Sequence, residues 1–286
     1  MVQVRLKGLL PPGMDPATMP TINVLEPPGP RQEPDYAAFD IRDGRPAPDD
    51  LRSEAERFAE DGFVLLPHDT RVRDWDDDVA SIYLPEIEAI LRDRLFPGRR
   101  IEIAQRAPLI RRGRNTKENY AQGVHSDGPL TPDHFAQNVG GFAGPDAVRW
   151  WKGGFDRAEV SGYVNVDFWR TTNMSGPLEH MPLALCRPAS LDRADIVPTS
   201  MVGIAPERRE TRHLTLRYNP SQSWVYFPGM EADELLAFKL CEFWKDDPDG
   251  QPQNVFHTAF EHPDTPADAE HRQSCEHRVG VFVLRD

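Results

Sequence analysis

Positive charge is scarce in this chain of 286 residues. Its 33 lysines and arginines face 46 aspartates and glutamates, for a formal net charge of −13. Such a surface repels phosphate backbones, so nucleic acid is excluded as an expected partner. Cysteine is scarcer still. Cys186, Cys241 and Cys275 are odd in number, far apart and without a CxxC spacing. They read as buried apolar filler in a reducing compartment, with no disulfide framework and no partner for nucleophilic work. No apolar run approaches the roughly 20 residues of a membrane span. The run Gly8–Leu9–Leu10 is too short for a signal peptide. The expectation is a cytoplasmic enzyme or binding protein with no membrane association.

What is present looks globular. Apolar residues make up 39% and charged residues 28%, and 28 prolines with 20 glycines make the chain rich in loops. We expect a single domain over residues 1–286, with an extended, proline-rich segment 1–48 packing on it; Val2, Val4 and Leu6 alternate as a strand would. The spacing predicts a helix over Asp50–Glu60, capped by Asp49 or Asp50 and stopped by Gly62, then a buried strand Phe63–Leu66. A second helix fits Asp77–Leu95, with a break at Pro85. After Arg100, short alternating runs take over at 101–104, 163–170, 213–218, 224–227, 255–260 and 274–284. A third helix is expected over Glu231–Trp244. The fold class is mainly β with flanking helices, a double-sheet β-roll.

The sharpest local feature is Gly123–Val124–His125–Ser126–Asp127–Gly128. On an extended chain His125 and Asp127 share a face. An imidazole and a carboxylate suit a divalent metal such as Fe(II), and a third ligand would complete a facial triad with open positions. The dipeptide spacing alone carries little weight. Nine histidines and 27 aspartates give about one such pair by chance, and His262–Pro263–Asp264 is a second instance, in a turn-rich setting. The C-terminal order adds the weight. His257 sits in a strand-like run, and Arg272–Gln273–Ser274 follows fifteen residues later. A guanidinium beside a hydroxyl on one strand face makes a clamp for a distal carboxylate.

This order resembles that of the Fe(II)/2-oxoglutarate-dependent oxygenases. The chain is most similar to the branch with the cephem 7α-hydroxylating component, the fungal endoperoxide-forming oxygenase of meroterpenoid synthesis and gibberellin-desaturase-like proteins. The likeness runs over roughly residues 55–283. It includes Asp61–Gly62–Phe63–Val64–Leu65, Tyr83–Leu84–Pro85–Glu86–Ile87–Glu88, Tyr163–Arg170, Met181–Leu185, Tyr218–Asn219–Pro220, Ser223–Phe227, His257–Phe260 and Arg272–Arg278. It implies a double-stranded β-helix (a jelly roll, cupin-like). It also implies Fe(II) held by His125, Asp127 and His257. 2-Oxoglutarate would be the co-substrate, its far carboxylate on Arg272 and Ser274, and O2 the oxidant. The implied reaction couples decarboxylation to succinate with oxidation of a C–H bond in a small molecule. The chain departs from the family pattern at Asp167–Phe168 and over residues 133–153, with Gly140–Gly141 and Trp150–Trp151. Both stretches are expected to border the pocket.

Other readings stand beside these. His213 is the main rival third ligand. Arg170 is a candidate for the substrate or the 2-oxoglutarate carboxylate, with a structural salt bridge nearly as well supported. Arg278 competes with Arg272 as carboxylate holder. Arg106, Arg111, Arg112 and Arg114 form a basic run that either steers an anion or lies in a solvated loop. Trp150, Trp151 and Trp169 are pocket or core aromatics. His134, His180, His271 and His277 read as surface or hydrogen-bonded histidines. Two further functions fit the pattern: a non-catalytic jelly-roll accessory or binding protein working with a partner enzyme, and a cupin-like metal hydrolase or isomerase. A homo-oligomer or an accessory partner is compatible with either reading.

Overall fold

Alternating strands must each bury a face, and pairing into sheets is how their backbone groups are satisfied at the same time. The computed structural model describes residues 1–15, 21–23, 37–113 and 120–285. Fourteen strands lie among them: β1 Val2–Arg5, β2 Ile22–Asn23, β3 Ala38–Asp43, β4 Phe63–Pro67, β5 Ile101–Arg106, β6 Ile110–Arg112 and β7 Val160–Thr171 come first. Next are β8 Leu183–Cys186, β9 Ile196–Val202, β10 Glu210–Leu216, β11 Trp224–Tyr226, β12 Glu234–Trp244, β13 His257–Ala259 and β14 Ser274–Leu284. The larger sheet has the order β4-β12-β7-β14-β5, with β6 also on β14. The smaller is β1-β3-β11-β8-β13, and a third, β10-β9-β2, lies beside it.

The two main sheets face each other. Leu236, Phe238 and Leu240 of β12 and Trp169 of β7 pack against Leu183 and Leu185 of β8 and Val225 of β11. The outer face of the larger sheet is covered by helices, through Phe58, Tyr83, Ile87 and Leu91. The outer face of the smaller sheet packs on β9 and β10 through Cys186, Ile196, Leu214 and Leu216. This is the jelly roll that the resemblance implied.

Residues 234–244 form strand β12, not the expected helix. Their apolar side chains are buried on both faces, Leu235 and Ala237 outward and Leu236 and Phe238 inward. A central strand covered on both sides reads as one apolar run, and a short run of that kind carries no period to tell it from a helix. The first helix, α1, runs Glu54–Asp61 and starts later than expected. Its cap is Ser53, in a reciprocal capping box with Glu56. Gly62 ends it at φ 79°, a left-handed conformation that glycine adopts without a Cβ penalty.

The second helix runs unbroken past Pro85, as α2 Leu84–Ile90 between π-helical turns Val79–Tyr83 and Leu91–Leu95. The wider preceding turn, in which Leu84 N–H bonds the Val79 carbonyl, accommodates the proline ring. Segment 133–153 forms parts of α3 Pro132–Ala143 and α4 Pro145–Asp156. These helices bury Phe135, Val139 and Trp151 against Tyr163, Phe243 and Phe282. Trp151 is therefore core and Trp150 is exposed. All three cysteines are free and buried.

Candidate metal centre and co-substrate pocket

The segment carrying His125 and Asp127 is a single stitch between two strands and not a strand of its own. His125 exchanges both backbone hydrogen bonds with His257 of β13, at 3.2 and 3.0 Å. Ser126 does the same with Leu214 of β10, at 2.9 and 3.0 Å. The chain is held extended from both sides, so His125 and Asp127 share a face as expected. Ser126 points away and is fully buried. The loop ends at Gly128, where a Cβ would sit 2.2 Å from the Leu240 carbonyl oxygen. Only glycine permits that approach.

Donor atoms of His125, Asp127 and His257 all lie within 4.8 Å of one another. His125 Nε2 and His257 Nε2 are 3.9 and 3.8 Å from Asp127 Oδ2. Each imidazole is oriented by its own strand. His125 Nδ1 is 2.6 Å from the Gly123 carbonyl oxygen, and His257 Nδ1 is 3.1 Å from that of Val255. With Nδ1–H donating to a carbonyl, the Nε2 lone pair is free for a cation. Burial, then the neighbouring His125, pushes His257 down to about 4, so its ring is neutral at ordinary pH. Burial opposes the charge of Asp127, but Arg278, with His213, His125 and His257, overrides it and holds the carboxyl well below the usual range. A neutral imidazole and an ionised carboxylate are the forms a divalent metal binds.

The cavity above these atoms, about 430 Å³ including its mouth, is bounded by Trp169, Leu183 and Phe238 on the apolar side. Arg112, Arg272, Glu276 and Arg278 supply its charges.

The family described as the oxidoreductase/YMDC permease-like domain matches residues 20–282. The chain belongs to that family. It is 35% identical over 118 residues to the aspirochlorine biosynthesis protein N of Aspergillus oryzae, covering 41% of this chain and 47% of the relative, so that match spans about half of the relative's length. It is 25% identical over 245 residues to the alpha-ketoglutarate-dependent dioxygenase phiK of a fungal species, covering 81% of each. Among solved structures, the iron and alpha-ketoglutarate-dependent endoperoxidase NvfI superimposes with a TM-score of 0.65 at 21% identity, over 93% of this chain and 94% of that one. A second NvfI structure in a different conformation gives 0.68 at 20%, over 99% of both. The likeness to NvfI is one of fold.

In this member of the oxidoreductase/YMDC permease-like family, Arg272 lines the cavity of the triad, and Ser274 lies two positions before the cavity-lining Glu276 on β14. Arg272 is 2% exposed. Its guanidinium lies 4.2 Å from the Tyr120 ring centre and 5.5 Å from that of Trp169, and Nη1 donates to the Met181 carbonyl oxygen at 2.6 Å. Among the described residues Arg272 has no ion pair, and neither its Nε nor the Ser274 hydroxyl has a hydrogen-bond partner. Burial lowers its pKa to about 10. A buried, unpaired guanidinium beside an unpaired hydroxyl fits a carboxylate as third party.

Arg278 is placed differently. It lies 2.9 Å from Asp127 Oδ2, 2.9 Å from Glu276 Oε1 and 3.4 Å from Asp167 Oδ2. Glu276 is also bonded by Arg112 at 3.1 Å. Asp167 does not line the cavity and reaches it only through Arg278, while Phe168 packs in the outer cluster, so this pair does not border the pocket as expected. Glu276 and Arg278 follow Ser274 at two-residue steps, so the strand period alone puts them on the cavity face.

Several expected residues lie elsewhere. Arg170 is one position from Trp169 on β7 and points to the outer face. It meets His68 Nδ1 at 3.0 Å, donates to the Ala232 carbonyl and lies near the Trp75 ring. It does not line this cavity, and neither does segment 133–153. His213 stands behind Asp127, its Nδ1 3.5 Å from Oδ1 and its Nε2 3.0 Å from Thr211 Oγ1. It supports that carboxylate and lies outside the triad. In the basic run, Arg106 pairs with Glu88 and Arg111 with Asp76, while Arg112 alone reaches the cavity. Arg114 lies outside the described residues. His262 belongs to a turn, bonded to Tyr226 and Asp264, as expected.

Proposed function

We propose that this chain is a non-heme Fe(II)- and 2-oxoglutarate-dependent oxygenase. It oxidises a C–H bond of a small molecule, by hydroxylation, desaturation or cyclisation, in natural-product biosynthesis. One observation carries the reading. A trio of metal-suited donor atoms and a buried guanidinium with no carboxylate partner among the described residues share one cavity. The likeness to phiK, NvfI and the aspirochlorine biosynthesis protein supports the class and the biosynthetic setting.

His125, Asp127 and His257 would hold the iron, and Arg272 with Ser274 would hold the far carboxylate of the keto acid. When bound, iron supplies oxygen activation, with 2-oxoglutarate going to succinate and carbon dioxide. The chain's own part is positional. The Gly123 and Val255 carbonyls fix both imidazoles, and His213 and Arg278 fix Asp127. Trp169, Leu183 and Phe238 keep water away from the reacting atoms. No helix of the described residues is long and apolar enough to cross a membrane.

The test is succinate release by the purified protein. It should require Fe(II), 2-oxoglutarate and O2 together, and His125→Ala should abolish it. Turnover persisting in His125→Ala refutes the reading. Iron uptake near zero after anaerobic loading points instead to an accessory protein.

A further inference from the structure

Among the described residues the buried arginines are Arg272 and Arg170, and neither has an ion pair there. Arg170 lies on the other side of β7 from the triad and lines a second cavity, about 1040 Å³ including its mouth. Its hydrogen bonds all go to neutral acceptors. Nη1 meets His68 Nδ1 at 3.0 Å, and Nη2 donates to the His68 carbonyl at 3.4 Å and to that of Ala232. Nε–H is buried without a partner, and the Trp75 ring centre is 5.7 Å from the guanidinium carbon. The carboxylate of Glu86 stands behind His68, 3.5 Å from its Nε2, with its oxygens taken by Thr70 at 2.6 Å and Arg71 at 3.0 Å. A buried cation held by neutral groups has lost its water without gaining an anion. Thr171 lines the same cavity. It is 2% exposed, and its hydroxyl has no partner among the described residues.

The rim has the opposite sign. Asp69, Glu231 and Asp233 line it, all exposed and none in an ion pair among the described residues. Arg73, also on the rim, has its Nη1 3.5 Å from the Thr70 and Val72 carbonyl oxygens. A bare anion would suit the floor and be repelled at the mouth. A bare cation would be drawn to the mouth and refused by the floor. A molecule with a carboxylate at one end and an ammonium beside it satisfies both.

We propose that this outer cavity is a second ligand site, for a zwitterionic amino acid. Arg170 and Thr171 hold its carboxylate, and the acidic rim holds its ammonium. The site is separate from the triad cavity and does not depend on the reaction assigned there.

The test is calorimetric titration of the full-length protein with three probes of one carbon frame. These are leucine, 4-methylpentanoate, which lacks the ammonium, and 3-methylbutylamine, which lacks the carboxylate. Leucine should bind about tenfold or more tighter than either, the scale of one hydrogen bond between charged groups. Arg170→Met should abolish leucine binding, and the milder Thr171→Val should weaken it about tenfold. Asp69→Asn combined with Asp233→Asn, on the exposed rim, should erase the advantage of leucine over 4-methylpentanoate. Arg272→Met should leave leucine binding unchanged. Leucine bound no better than 4-methylpentanoate overturns the proposal, as does failure of leucine to bind at millimolar concentration. Unchanged leucine binding in Thr171→Val also overturns it. So does loss of leucine binding in Arg272→Met, which would put the ligand in the triad cavity.

Discussion

Two guanidiniums six residues apart enter one cavity, and their company differs. Arg278 meets three carboxylates, from Asp127, Asp167 and Glu276. Arg272 meets none among the described residues and rests on two aromatic rings. Burial penalises both charges. At Arg278 the carboxylates more than offset it, so the group holds its proton more firmly than usual, whereas Arg272 is pushed down to about 10. The same residue type is thus a structural cation at 278, on β14, and in the proposed function an anion receptor at 272, just before that strand. Charge complement, more than residue type, tells the two roles apart.

The largest effect that would break this contrast is at Arg272. Arg272→Met should cut 2-oxoglutarate affinity about a hundredfold or more, while the folding midpoint in urea changes little. Calorimetric titration of the Mn(II) form checks it. Arg278→Met should do the reverse and leave three buried carboxylates facing one another. A loss of about 3–5 kcal/mol is expected in denaturant unfolding. A folded, fully stable Arg278→Met protein would erase the distinction.

The imidazole behind Asp127 sharpens it further. His213→Phe removes the group 3.5 Å from Oδ1. It should weaken Mn(II) binding about tenfold, the usual scale for a residue that orients a ligand. The smallest effect is a pH slope. Asp167 is pushed up to about 7 by burial and by Glu276. An unfolded aspartate titrates near 3.9. The folded form therefore keeps a proton that the unfolded chain gives up, and this group's contribution to stability is lost as pH rises from about 4 to about 7. The slope is at most about 1.4 kcal/mol per pH unit. Asp167→Asn should flatten that part of the urea-midpoint profile.

Much of the site could be read from the chain because its members come as short periodic patterns. His125 and Asp127 are two apart, as are Arg272 and Ser274, and an extended backbone turns that spacing into a shared face. Parity is what a sequence does not reveal. Trp169 and Arg170 are neighbours on β7, and only the packed sheet decides that the indole faces the cavity and the guanidinium faces His68. The helix expected at 231–244 failed for a related reason. Leu235 and Leu236 are both buried, on opposite faces, so the run holds no polar side to count from. His213 was invisible as a supporting residue because its partner Asp127 lies 86 positions away and no local pattern joins them. Arg278 was in view only as a rival to Arg272, because pairing with Asp167 depends on strand register.

Each imidazole of the triad takes its orientation from a carbonyl only two residues back, at Gly123 and at Val255. The aim of the rings is thus set largely within two tripeptides, and of the three apolar wall residues Phe238 alone packs on one of them, its ring 4.9 Å from that of His257. Trp169 and Leu183 can therefore be exchanged for larger or smaller side chains with the least disturbance of the triad. Libraries that reshape the cavity belong at those two positions first.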